Sequence, residues 1–190
     1  MRHASSEIDF LPDPVGSCWS GRRFCVFAHS PTLLGCALWG RAGTDDVREL
    51  LDAIAFGLRP GMTRYRWVVD MRGLQSLSPR GLALLVDHVR RNHEVLGRNV
   101  IQQAHLPPRG LMGTLLLGVS LVTDLPFPAR AFGADTDALD WLGLPAAVGQ
   151  ELFAELESLQ HDPLDGLPLP RPPRKVVPSV DPVLLRSSRG

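Results

Sequence analysis

Apolar positions along this chain switch repeatedly between a strand-like and a helix-like period. Arg22 to Ala28 (RRFCVFA) and Leu33 to Gly40 (LLGCALWG) are nearly continuous apolar runs of strand length, separated by His29-Ser30-Pro31-Thr32. That arrangement predicts a hairpin buried on both faces. Val47, Leu50, Leu51, Ile54 and Leu58 then recur at helical spacing. Thr44 is the expected N-cap of this helix, Asp45 and Asp46 suit its positive first turn, and Gly57 with Arg59-Pro60-Gly61 predicts its stop. Tyr65, Trp67 and Val69 alternate with Arg66 and Val68 in a strand that ends on Asp70. The clearest helix is expected from Pro79 to Leu96, with Leu82, Leu85, Val86, Val89, His93 and Leu96 as its inner stripe and Gly97 as its terminator.

The second half continues the alternation. Asn99 to Ala104 reads as a short strand, broken by Pro107-Pro108. Arg109 to Ser120 reads as an apolar helix whose glycines at 110, 113 and 118 permit close backbone approach. Phe127 to Phe132 is a strand that Pro126 and Pro128 confine to a sheet edge. Asp135 to Leu142 is a short acid-capped helix ending at Gly143, and Val148, Leu152, Leu156 and Leu159 stripe a last helix over Pro145 to Gln160. Residues 163–190 hold seven prolines and few large apolar side chains, which predicts a disordered tail.

This order defines an α/β fold. We expect a mixed sheet of about five strands, an opening hairpin followed by alternating helices and strands, covered by about four helices, with one further C-terminal helix. The expected division is a flexible leader at 1–20, the α/β domain at 21–143, the additional helix at 144–162 and the Pro-rich tail at 163–190. No internal repeat is visible.

Composition narrows the function classes. Twenty basic and twenty acidic residues cancel, so no global field draws nucleic acid or a membrane to the chain. Lys175 is the only lysine, and the other basic residues are arginine. The first residues lack the apolar core of a signal peptide, and Leu111 to Val122 is too short to span a bilayer. Three cysteines without a CxxC pair indicate neither a disulfide framework nor a zinc site, so a cytoplasmic location, no metal and no cofactor are the expectations. Common hydrolase and nucleotide-binding signatures are absent, and no Ser/His/Asp or Cys/His set stands out, which predicts a chain that is not an enzyme.

One junction carries the sharpest signal. Val68-Val69-Asp70-Met71-Arg72-Gly73-Leu74-Gln75-Ser76-Leu77-Ser78-Pro79-Arg80-Gly81-Leu82 reads as a strand ending in an aspartate, a short loop, and a capped helix. With the element order, it resembles the STAS domain of sulfate transporters and anti-sigma factor antagonists. In that family an aspartate closes a strand. Eight positions on stand a second aspartate, a phosphorylatable serine, a small residue, glycine and leucine. Asp70, Gly81 and Leu82 fit without a gap, whereas Ser78 falls at the second aspartate, Pro79 at the phospho-serine and Arg80 at the small residue. The resemblance covers about 120 residues in element order. It implies a regulatory module working by protein–protein contact, and Pro79, having no hydroxyl, implies loss of the serine switch. The segments VVDMRGL, PPRGLMG, LPFPARAF and ALDWLG also resemble the amino-terminal regulatory halves of AraC-type transcription regulators. That resemblance implies, as the alternative, a sensory or dimerising half without its DNA-binding domain.

The expected contact surface is the loop and helix start carrying Asp70, Arg72, Ser76, Ser78, Pro79, Arg80 and Gly81. Each of the main residues also has a purely structural role to weigh. Ser78 before Pro79 is a favoured N-cap pair, and a capping hydroxyl turned toward the helix amides hinders a kinase, although a phosphate on Ser78 would be tolerated at a helix N-terminus. Asp70 stands where open α/β sheets place ligands, yet a loop aspartate commonly binds nearby amides or pairs with an arginine such as Arg72 or Arg80. Histidines 88 and 93 are five apart, the wrong spacing for a metal pair on one helix face, and His93 is expected as a satisfied buried imidazole. His105 is expected in a loop. Cys25 and Cys36 are expected to face one another across the hairpin as buried thiols. Pro168 to Lys175 reads as a solvated linker, with a polyproline segment that docks on a partner as the alternative. The expected partner is another regulatory protein, with a homodimer as an option, and no direct nucleic-acid or membrane contact is expected.

Overall fold

The computed structural model describes residues 1–4, 7–59, 64–122 and 124–160. The Pro-rich tail and its polyproline segment lie outside them. In chain order the elements are β1 (Arg2–His3), α1 (Glu7–Phe10), β2 (Ser17–Ser20), β3 (Phe24–Ser30), β4 (Leu33–Leu38), β5 (Gly40–Ala42), α2 (Thr44–Ile54) with a short 3-10 turn (Ala55–Leu58), β6 (Tyr65–Asp70), β7 (Leu74–Leu77), α3 (Pro79–Arg91), α4 (His93–Asn99), β8 (Val100–Leu106), α5 (Leu111–Val122), β9 (Ala129–Ala131), α6 (Asp135–Leu142) and α7 (Ala146–Gln160).

The main sheet runs β1-β2-β3-β4-β6-β8-β9. Strands β3 and β4 form the antiparallel hairpin, and β4, β6, β8 and β9 are parallel neighbours joined by crossovers. This is the mixed α/β sheet expected from the alternation, with β9 at the edge where its flanking prolines confine it. The sheet separates two apolar layers. Phe24, Val26, Leu34, Cys36, Tyr65 and Trp67 share one side with Leu50, Ala53 and Phe56 of α2 and the 3-10 turn. Cys25, Phe27, Leu33, Ala37 and Val68 share the other with Leu139 and Leu142 of α6 and Leu152, Phe153 and Leu156 of α7. Successive residues of one strand thus feed opposite layers, which is why the runs read as continuously apolar.

Five expectations change. The described part of residues 1–20 does not form a flexible leader. Strand β2 pairs with β3, β1 pairs with β2, and Phe10 is fully buried, meeting the Phe56 ring edge-on at 5.3 Å. The predicted strand to Gly40 divides, because Gly40 adopts φ 61° and turns the chain out of the main sheet into β5. Thr44 is the first residue of α2 rather than its cap. Gly43 takes the cap position, and its N–H donates to Asp46 Oδ2 at 2.7 Å. The helix from Pro79 breaks at Asn92, whose backbone N–H and side-chain Nδ2 both donate to the His88 carbonyl, at 3.1 and 2.9 Å. That break leaves His93 exposed at the start of α4, and Gly97 lies inside α4 rather than ending a helix. Finally, Cys25 stands opposite Ala37 and Cys36 opposite Val26. A one-residue offset in an antiparallel pair sends two side chains to opposite faces, so these thiols do not meet.

Candidate functional site

The parallel strand β6 delivers Asp70 to its C-terminal end, opposite Leu106 of β8. Its carboxylate is fully buried and saturated by one residue. Oδ1 accepts from the Arg72 backbone N–H at 3.0 Å and from Arg72 Nε at 3.1 Å, and Oδ2 accepts from Nη2 at 2.8 Å. An aspartate two positions before its partner folds the chain locally in this way, by bonding the amide two residues on. The Arg72 guanidinium lies 4.9 Å from the centre of the Phe153 ring and 3.7 Å from Asp135 Oδ2. Its hydrogen bonds to Asp70 hold its pKa above the ordinary arginine value. Asp70 and Arg72 therefore clamp the strand end to α6 and α7, and the fully buried carboxylate is not free to serve an incoming group.

Beyond Arg72 the chain turns, with Leu74 N–H donating to Met71 O at 2.9 Å. Gly73 passes so close to α7 that a Cβ there would stand 2.6 Å from Gln160 Oε1. The segment read as loop then becomes β7, which pairs in parallel with β5, Ser76 opposite Arg41 and Leu77 opposite Ala42. Ser78 follows as the N-cap of α3. Its Oγ accepts from Gly81 N–H at 3.0 Å and lies 3.2 Å from Thr44 Oγ1. Pro79 occupies the first helical turn, as the sequence predicts. Gly81 is buried where α3 crosses α2, and a Cβ there would lie 3.0 Å from Val47 Cγ2.

The seven sequence-predicted residues thus divide. Asp70, Ser78 and Gly81 are committed inward, Arg72 and Ser76 are half-buried, and Pro79 and Arg80 are exposed, as are Gln75 of β7 and Arg41 of β5. Among the described residues neither Arg80 nor Arg41 makes an ion pair. Sequence reasoning missed Thr44 as the companion of Ser78 and Phe153 and Asp135 as companions of Arg72. These contacts join residues from 34 to 81 positions apart in the chain, and no local pattern announces them.

The histidines also need relocation. His105 lies on β8, not in a loop, paired with Val69. Burial lowers its pKa to about 4, and burial likewise lowers that of the half-buried His88. Among the described residues no group of three or more His, Cys, Asp or Glu side chains is placed to hold a metal ion. Among them, too, no helix is long and apolar enough to cross a membrane.

Fold and site together define an α/β module whose strand-to-helix junction buries Asp70 and exposes Pro79 and Arg80. No family model and no curated protein matches the chain. Among solved structures it is similar to an uncharacterized protein of the DUF3478 family with a SpoIIAA-like fold, from Shewanella loihica PV-4, at 16% identity and a TM-score of 0.49, covering 65% of this chain and 97% of that one.

Proposed function

We propose that this chain is a non-enzymatic regulatory module that works by binding another regulatory protein through the exposed start of α3 at Pro79 and Arg80. The observation that carries this reading is the charge at the start of α3. A helix N-terminus favours anions, yet the first turn of α3 has no acidic residue and presents the exposed, unpaired Arg80. A cation there costs about 0.3–1 kcal/mol. An acidic surface on a partner would recover that energy. The module works without the serine switch, because Pro79 has no hydroxyl and the Ser78 hydroxyl is engaged in the cap.

The test is affinity purification from the native host with the wild-type chain and with Arg80→Glu, both checked for folding by circular dichroism. We expect a partner recovered with the wild type to be lost with the folded variant. Equal recovery of the same proteins would reject this surface. Intact-mass measurement of the native protein addresses the modification separately, and a phosphate mapped to Ser78 would overturn the structural reading of that hydroxyl.

A further inference from the structure

We draw no further inference here: the strongest candidate, the apolar groove between the sheet and α2, α3 and α5 that Leu50, Trp67, Leu85 and Leu116 help to line, stands open to solvent, and nothing in the structure shows what covers it.

Discussion

The Asp70–Arg72 pair sets the energetic scale of the junction, and removing one partner exposes it. In Asp70→Ala the Arg72 guanidinium and its backbone N–H lose the acceptors that now take all three of their bonds to the carboxylate. Breaking a buried pair in this way costs about 3–5 kcal/mol, because a charge is left without its partner. Arg72 keeps 30% side-chain exposure and the more distant Asp135, so it rehydrates in part and the cost falls near the lower limit, about 3 kcal/mol. Arg72→Ala costs more, about 4–5 kcal/mol, since it strands a fully buried carboxylate and removes the stacking on Phe153. The double variant should cost about 2–3 kcal/mol less than the sum of the two, as each deletion relieves the charge stranded by the other. Urea unfolding of the four proteins measures this directly, and thermal unfolding should place Asp70→Ala about 6–12 °C below the wild type. An Asp70→Ala loss under 1 kcal/mol, or strict additivity, would refute the clamp.

Four further outcomes follow from single features. Ser78→Ala removes the oxygen that accepts from Gly81 N–H and should cost about 1 kcal/mol by urea unfolding, with α3 still formed by circular dichroism; no change would show the cap to be unimportant. Gly35→Ala should be far worse, about 3 kcal/mol or more, because a Cβ there meets the Val68 carbonyl oxygen at 2.5 Å and Phe27 Cζ at 2.4 Å in the middle of the sheet; a stable, soluble variant would contradict that packing. The folded state keeps His105 neutral down to about pH 4, whereas the unfolded chain binds that proton near pH 6.5, so the stabilisation is present above 6.5 and is lost as pH falls from there toward 4. The loss is about 1–2 kcal/mol by pH 5, His88 adds in the same direction, and His105→Leu should flatten the fall in melting temperature between pH 7 and pH 5; an unchanged slope would place the acid sensitivity elsewhere. Finally, Arg80→Glu puts a negative charge at the start of α3 and should raise the melting temperature by about 2–4 °C; a decrease would show that Arg80 supports the fold.

Much of this was legible because it is local. The alternation of Tyr65, Trp67 and Val69, the Ser78-Pro79 pair and the left-handed Gly143 each record their own backbone conformation. What the sequence hid is pairing. Arg2–His3 and Ser17–Ser20 are too short and polar to announce themselves, and they become strands only because β3 offers an edge. The hairpin turn was read in nearly the right place, but one residue of register decided that Cys25 and Cys36 serve opposite layers. Leu82 to Leu96 keeps a helical stripe across Asn92, so periodicity alone could not see the break that the His88 carbonyl stabilises. At the junction itself, the inward roles of Asp70 and Ser78 were readable as alternatives. Choosing between them required Phe153, Asp135 and Thr44, which lie far off in sequence.

The central claim is that Arg80 is held at a helix start for a partner and not for the fold. The most direct measurement is the affinity of the recovered partner for the wild type and for Arg80→Glu, taken with the melting temperature of each. The account predicts a variant that is at least as stable and binds at least tenfold more weakly; a variant that binds as well as the wild type would contradict it.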